Sequence, residues 1–143
     1  VWFNIKYAIV YFYNVYGKRE IKTGKYATLI ALFCEKFKNN EALSVVSPGT
    51  QKRNFTHIDD IVDGLVIVGE KGSGDEFGIG SRKSYSILDI AEIFECEVVM
   101  IPERKGNRMT ADVMVDKTEA LGWKSRRNIK DYIKQFKENT KYN

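Results

Sequence analysis

The sequence predicts an α/β fold in which short strands alternate with helices. Segments rich in β-branched and aromatic residues, which favour strands, are followed along the chain by segments whose apolar residues recur at helical spacing. An apolar fraction of 43% and only two prolines argue against disorder. At 143 residues, without repeats or a linker-like segment, the chain has the length of one domain. Residues 1–143 are therefore predicted to form one structural unit.

The first third of the chain predicts two strands with a helix between them. Residues 7–13 are apolar on both faces and predict a buried, parallel strand. A helix is expected over about residues 26–38, because its apolar residues form one stripe. Leu43–Val46 predicts a short strand that ends in a Pro-Gly turn.

The centre of the chain predicts a helix between two extended pieces. Residues 54–58 predict a short extended piece, and Asp59 or Asp60 is expected to cap the helix that follows. The core face of this helix is predicted from its apolar spacing as Ile61, Leu65 and Val66. Residues 76–80 predict the next strand.

The last third of the chain predicts three helices and one strand. Residues 86–89 match a capping box, which starts a helix over 87–94. Residues 97–101 predict a strand, and residues 116–121 a short helix with a glycine at its end. Asn128 is expected to cap a last amphipathic helix.

Charge and cysteine content narrow the classes of ligand. The net charge of +4 comes from 23 Lys and Arg interleaved with 19 Asp and Glu. This charge permits a small anionic ligand, but the sequence lacks the dense basic stripe that is typical of a nucleic-acid binder. Cys34, Cys96 and the single His57 lack metal-ligand spacing, so the cysteines are interpreted as reduced and buried and no metal is expected. No long apolar run or leader is visible, which favours a cytoplasmic protein without membrane contact.

No catalytic residue is predicted, because the sequence has neither a glycine-rich phosphate loop nor a Tyr-x-x-x-Lys pair. Two arginine-bearing loops, 48–55 and 102–108, do follow predicted strands. Ligands bind at strand ends in open α/β sheets, and guanidinium groups pair with phosphate oxygens. On spacing alone, solvated surface arginines remain the better interpretation of both loops.

Four ordered segments carry a family resemblance. They are Tyr-Phe-Tyr-Asn-Val-Tyr-Gly at 11–17, Gly-Thr-Gln-Lys-Arg-Asn-Phe-Thr-His-Ile-Asp-Asp at 49–60, Phe-Gly-Ile-Gly at 77–80, and Arg-Lys-Gly-Asn at 104–107 with Lys-Thr-Glu-Ala-Leu-Gly-Trp at 117–123. In this order they resemble segments of the extended short-chain dehydrogenases, the family of NAD-dependent sugar epimerases and dehydratases. The resemblance implies the carboxy-terminal, substrate-binding portion of such a fold, with the amino-terminal dinucleotide-binding portion absent.

The resemblance implies which side chains would bind a nucleoside-diphosphate sugar. Asn14 corresponds to a residue that contacts the phosphate, and Arg53 and Arg104 correspond to the two arginines of the diphosphate site. Asn107 stands where an acidic residue usually holds the nucleotide ribose. Asn107 and Asn54 are both amides at positions where the family has Asp, and an amide keeps an acceptor for the ribose but loses the charge.

The resemblance also implies backbone and cofactor contacts. The N–H groups of Tyr26 and Ala27, at the start of the predicted helix, would face the diphosphate. The backbone of Val45 and Val46 would border the nucleotide base. The residues beside the nicotinamide and the sugar would be Phe12 and Tyr13.

The family therefore predicts the substrate-binding half of an NAD-dependent nucleotide-sugar epimerase, similar to UDP-glucose 4-epimerases and inactive by itself. NAD would bind the full-length relative rather than this chain alone. The expected partners are a nucleoside-diphosphate sugar and either further copies of the chain or a docked amino-terminal half. The alternatives are half of a nucleotide-sugar 4,6-dehydratase and a non-catalytic binding or interaction module. The base and the sugar stay open.

Overall fold

The described residues form eight short strands and five helices, interspersed along the chain, which confirms the α/β fold. The computed structural model describes residues 4–103, 106, 109, 110 and 112–141. The strands are β1 (Ala8–Phe12), β2 (Val15–Tyr16), β3 (Leu43–Val46), β4 (Lys52–Asn54), β5 (Thr56–His57), β6 (Gly74–Ile79), β7 (Ser84–Ser86) and β8 (Val98–Ile101). The helices are α1 (Leu29–Lys38), α2 (Ile58–Lys71), α3 (Ile87–Phe94), α4 (Asp116–Ala120) and α5 (Ile129–Lys141).

The strands form four pairs. The pairs β1–β6, β2–β5 and β3–β8 are parallel, and β4–β7 is antiparallel. Parallel pairing requires long connections, and here α1 and α2 lie within those connections. As a result, segments far apart in sequence meet where the strands end.

The larger hydrophobic core lies between α1, α3, α5 and the strands β3 and β7. Phe33 of α1 and Phe94 of α3 meet edge to face, with 5.8 Å between their ring centroids, and Ile90 and Ile133 are fully buried beside them. Burying one such side chain contributes about 1.5–3 kcal/mol. This core therefore holds the three helices against one another.

A smaller core forms where α2 packs on β1 and β6. Ile61 of α2, Ile79 of β6 and Trp123 are its buried members. Gly64 makes the close approach possible, because a Cβ there would lie only 2.7 Å from Ile79 Cγ2 and 3.0 Å from Trp123 Nε1. The helix therefore turns its glycine, rather than a large side chain, toward the sheet.

The predicted core face of α2 is partly wrong. Ile61 is buried as expected, but Leu65 and Val66 keep 38% and 55% of their surface exposed. The buried positions are Asp60, Ile61, Gly64 and Val68. The periodicity counted side-chain size and missed the glycine, which marks the closest contact.

The predicted burial of the first strand is also wrong. Ile9 and Phe12 remain 41% and 49% exposed, and Tyr11 is exposed as well. Within the residues that the structure describes, β1 pairs with β6 along one edge and has no strand along the other. Its sequence is that of a strand inside a sheet, but its position is at an edge.

Two predicted helix starts need correction, and two are confirmed. Helix α1 begins at Leu29 after the N-cap Thr28, rather than near residue 26. Helix α2 is capped by His57, whose Nδ1 accepts a hydrogen bond from the Asp59 N–H at 3.1 Å, and not by either aspartate. The capping box of α3 is present, and Asn128 Oδ1 accepts from the Lys130 N–H at 2.9 Å at the start of α5.

None of the helices in the described part of the chain has the length and apolar character needed to cross a bilayer. The cytoplasmic location stays a prediction from the sequence.

Candidate functional site

The turn between β1 and β2 holds the first predicted ligand contact, Asn14. This residue has a left-handed backbone, with φ of 38°, a conformation that asparagine adopts more readily than most residues. Its Nδ2 donates to the Asn54 carbonyl at 3.3 Å, and its own carbonyl accepts from the Thr56 N–H at 3.2 Å. Asn14 is therefore attached to the segment that carries Arg53.

Arg53 lies in β4, opposite Tyr85 of β7. The side chain is half-buried, and its Nη1 donates to the Lys52 carbonyl at 2.7 Å. The Lys52 N–H in turn donates to the Met109 carbonyl at 2.9 Å. The residue next to Arg53 thus fixes one end of the second arginine loop.

Arg104 and Asn107 lie outside the described residues, but both ends of their loop are defined. The loop leaves β8 at Ile101, which pairs with Val46 and accepts a hydrogen bond from the Ser47 N–H at 2.9 Å. It returns at Met109, beside Lys52. Both arginine-bearing segments therefore meet at one end of the molecule, and contact of Arg104 or Asn107 with a ligand stays a prediction.

Val45 and Val46 occupy β3, next to the start of this loop. Val45 is fully buried, whereas Val46 is half-buried. The Val46 carbonyl accepts from the Gln51 side-chain amide and from the Gly49 N–H, both at 3.0 Å. This backbone is held within the chain, and its predicted contact with a nucleotide base stays a prediction.

Tyr26 and Ala27 precede α1 instead of starting it. The Ala27 N–H donates to the Gly24 carbonyl at 3.2 Å. The first helical residues are Leu29 and Ile30, and an α-helix leaves its first N–H groups without intrahelical acceptors. An anion at this helix would therefore face the turn after Thr28, so the implied contacts move by about one turn along the chain.

Phe12 and Tyr13 differ in how they are held at the end of β1. Phe12 is largely exposed. Tyr13 packs on Gly78 of β6 and on Gly80 just after it, where added Cβ atoms would lie 3.2 Å from its Cε2 and 2.5 Å from its Cδ2. Its hydroxyl accepts from the Met114 N–H at 3.1 Å. Of the two residues predicted to lie beside a nicotinamide, Phe12 thus has an exposed ring, whereas Tyr13 is held in place by contacts within the chain.

Sequence and structure comparisons place these observations among known proteins. The profile described as the NAD dependent epimerase/dehydratase family matches residues 2–80, more than half of the chain.

The chain belongs to the NAD dependent epimerase/dehydratase family.

The relatives within the family differ in activity. The chain is 27% identical, over 93% of its length, to a putative UDP-glucose 4-epimerase of Methanocaldococcus jannaschii, and 26% identical, over 94%, to UDP-glucuronic acid decarboxylase 3 of Arabidopsis thaliana. Its fold matches the UDP-glucose 4-epimerase of Thermotoga maritima, solved with UDP-glucose, with a TM-score of 0.89 over 98% of this chain at 24% identity. These proteins confirm the predicted family and fold.

The chain spans less than half of the length of these relatives. It covers 45% of the Methanocaldococcus protein, 41% of the Arabidopsis protein and 47% of the Thermotoga chain. This agrees with the predicted correspondence to one half of such a protein.

Sequence reasoning missed the burial of the Asp60 carboxylate at the start of α2. Asp60 accepts hydrogen bonds from the backbone N–H groups of Arg126 and Arg127 and from the Ser125 hydroxyl, at 2.9–3.1 Å. The Arg127 guanidinium donates to its other oxygen at 2.7 Å. Burial alone would raise the pKa of Asp60, but these donors outweigh burial and lower it. The partners lie more than 60 residues away, so no local pattern could have found them.

His57 has structural contacts in the folded chain. Besides capping α2, its ring lies edge-on to Tyr16 and Tyr132, with centroids 5.2 and 5.8 Å away. Burial lowers the pKa of His57, and Arg127 adds to this while Asp59 opposes it. The neutral imidazole that this favours is the form whose Nδ1 can accept the capping bond.

Proposed function

We propose that this chain is the nucleotide-sugar-binding half of an NAD-dependent epimerase and binds the diphosphate between Arg53 and the loop at 102–108. The observation that carries the proposal is the Lys52 N–H bond to the Met109 carbonyl at 2.9 Å. It connects the two arginine-bearing segments that the family resemblance assigns to one diphosphate. Guanidinium groups on both sides of a diphosphate would provide charge-assisted hydrogen bonds of about 1.5–3 kcal/mol each.

Asn14 adds a neutral contact to this pair of cations. Its left-handed backbone places it at the carboxyl end of β1, and its hydrogen bond to the Asn54 carbonyl fixes it relative to β4. Carboxyl ends of parallel strands are where α/β folds bind their ligands. The amide is thus available to orient a phosphate that the arginines hold.

The cofactor contribution of this chain is small in the proposed function. The exposed Phe12 ring fits a planar group that lies against the end of β1, whereas Tyr13 is held by β6 and Met114. NAD bound to a partner half would supply the hydride acceptor for the sugar. The residues of this chain would hold and orient the sugar, and the chain by itself would be inactive.

An epimerase is proposed rather than a decarboxylase or dehydratase because the Methanocaldococcus relative is named as a putative UDP-glucose 4-epimerase and the Thermotoga structure as a UDP-glucose 4-epimerase. Both names point to a UDP-hexose as the substrate class. A UDP-glucose 4-epimerase carries out no net loss of carbon dioxide or water, so the proposed substrate and product are isomers.

Calorimetric titration with UDP and UDP-glucose tests the binding proposal. We expect weak, salt-sensitive binding, and a further loss of about tenfold in the Arg53→Ala chain. Arg126→Ala, which removes an exposed arginine, should leave the affinity unchanged. Equal affinity of the Arg53→Ala and Arg126→Ala chains would remove the assignment of the diphosphate site.

The exposed edge of β1 is the basis for proposing a partner of the chain. A strand with a bare edge and exposed apolar residues favours pairing with another strand. We propose that this edge pairs with a docked amino-terminal half or, when that half is missing, with a second copy of the chain. Light scattering that finds a monomer at high concentration, together with an ordered β1, would contradict the second-copy arrangement.

A further inference from the structure

Asn54 is a buried amide at a junction of three separate segments. Its side chain is almost fully buried, with 2% of the residue exposed. Its Nδ2 donates to the Ser81 carbonyl at 2.8 Å and to the Arg82 carbonyl at 3.2 Å, in the turn between β6 and β7. Its backbone carbonyl accepts from Asn14 Nδ2 at 3.3 Å, in the turn between β1 and β2. One residue therefore joins β4 to both turns.

These contacts connect both turns to β4, next to the predicted ligand residues. The parallel pair β1–β6 joins two strands whose carboxyl ends lead to Asn14 and to Ser81. Asn54 bridges those two ends, and Thr56 Oγ1 reinforces the bridge by accepting from the Ser81 N–H at 3.0 Å. Arg53 is covalently adjacent to Asn54. The Asn54 side chain thus fixes the β4 backbone, which carries Arg53 and whose carbonyl Asn14 contacts, against the turn at Ser81.

The bridge requires an amide. A carboxylate has no hydrogen to donate, and in this place it would set a negative charge beside two carbonyl oxygens without access to water. An aspartate at this position would therefore remove the bridge.

We propose that Asn54 is a positioning residue that sets Asn14 and Arg53 at the separation a diphosphate requires. This inference rests on the proposed function, because the ligand is the one proposed there. Asn54 itself lies behind the site and acts through its two neighbours.

The test is the UDP affinity of the Asn54→Asp chain. At about pH 8, where the new carboxyl is ionised, we expect the affinity to fall at least about tenfold below that of the unchanged chain. At about pH 5.5 we expect a smaller loss of affinity relative to the unchanged chain. Burial raises the pKa of a carboxyl, and a protonated carboxyl donates one hydrogen bond. The matched control is Gln135→Glu, which makes the same change of charge at an exposed position of α5 and should leave the affinity unchanged at both pH values.

Measurements are made well below the unfolding temperature of each chain. If the unchanged chain binds UDP and the Asn54→Asp chain binds it equally well, the inference is overturned even where the variant unfolds at a lower temperature, because a purely structural amide changes only stability. If Asn54→Asp does not fold, Asn54→Ala, which removes the donor without adding a charge, is measured in its place, and unchanged affinity again overturns the inference. If the unchanged chain does not bind UDP, the proposed function fails first and the positioning role fails with it.

Discussion

The start of α2 and the strand β1 are neighbours that differ in how well the rest of the chain encloses their side chains. Asp60 is a charged group, 1% exposed, with donors from Ser125, Arg126 and Arg127 around its two oxygens. Ile9 and Phe12 of β1 are apolar groups that remain largely in water. The residues least suited to burial are therefore the best enclosed, and those most suited to it are not. The start of α2 is therefore enclosed by the chain itself, whereas β1 keeps apolar side chains exposed and one edge unpaired among the described residues.

Replacing Asp60 should have the largest effect on stability. Asp60→Ala leaves the part-buried N–H groups of Arg126 and Arg127 without their acceptor, so we expect a loss of about 3 kcal/mol in the free energy of unfolding, measured with urea. Asp63→Ala removes an exposed carboxylate that lies 4.0 Å from the same Arg127, and should cost less than about 0.5 kcal/mol. Similar losses in both chains would show that Asp60 acts only as a surface charge.

Two glycines of α2 test the difference between its buried and exposed sides. Gly64→Ala forces a methyl group against Ile79 and Trp123, and we expect a net loss of about 1–2 kcal/mol despite the better helix propensity of alanine. Gly69→Ala adds its methyl group where nothing lies within 4 Å. That substitution should stabilise the chain by about 0.5–1 kcal/mol. Thermal unfolding of the two variants, with shifts of the same sign, would contradict this packing of α2.

The cap of α2 gives a smaller, pH-dependent effect. The pKa of His57 is lowered in the folded chain, so the unfolded chain binds the proton more readily. The stability that the neutral cap provides is present above the unfolded pKa of about 6.5 and is lost as the pH falls below it. We expect the free energy of unfolding to fall between about pH 7.5 and pH 5.

Since His57 is the single histidine, the matched variant is His57→Gln, in which this slope should flatten. A slope that is unchanged in the His57→Gln chain would mean that the histidine is not its source.

Substitution on β1 should affect stability least. We expect Ile9→Lys to change the free energy of unfolding by less than about 0.5 kcal/mol, because the side chain is already 41% exposed. Self-association, followed by light scattering, should decrease because a lysine on an edge strand opposes pairing. Val66→Lys places the same charge on the exposed face of α2 and should leave self-association unchanged. If both variants associate equally, β1 is not the contact.

Local signals predicted most of the secondary structure. The strand Leu43–Val46 has the predicted bounds, and the capping box of α3 is present, because both depend on residues adjacent in sequence. The start of α1 was placed too early, although Thr28 carries a common N-cap signal. His57 as a cap had no such signal, since histidine rarely takes that position.

Contacts distant in sequence could not be predicted in this way. Asn14 and Asn54 are 40 residues apart, and Asp60 and Arg127 are 67 apart. A resemblance to a family assigned ligand roles to individual residues but not the hydrogen bonds between them. The predicted burial of β1 was wrong for a related reason. Its apolar composition is typical of a strand covered on both faces, but composition does not show which neighbouring strands the described residues provide.

The loop between Ile101 and Met109 is attached at both ends to the strands that flank it, through Ser47 and Lys52. Changes of length within a loop cost little free energy when its ends stay fixed, because the entropy of closure grows only slowly with the number of residues. Insertions and deletions there would change the length of the loop while the surrounding strands keep their register. This part of the chain can therefore vary without a new fold and without loss of Arg53, which lies in β4.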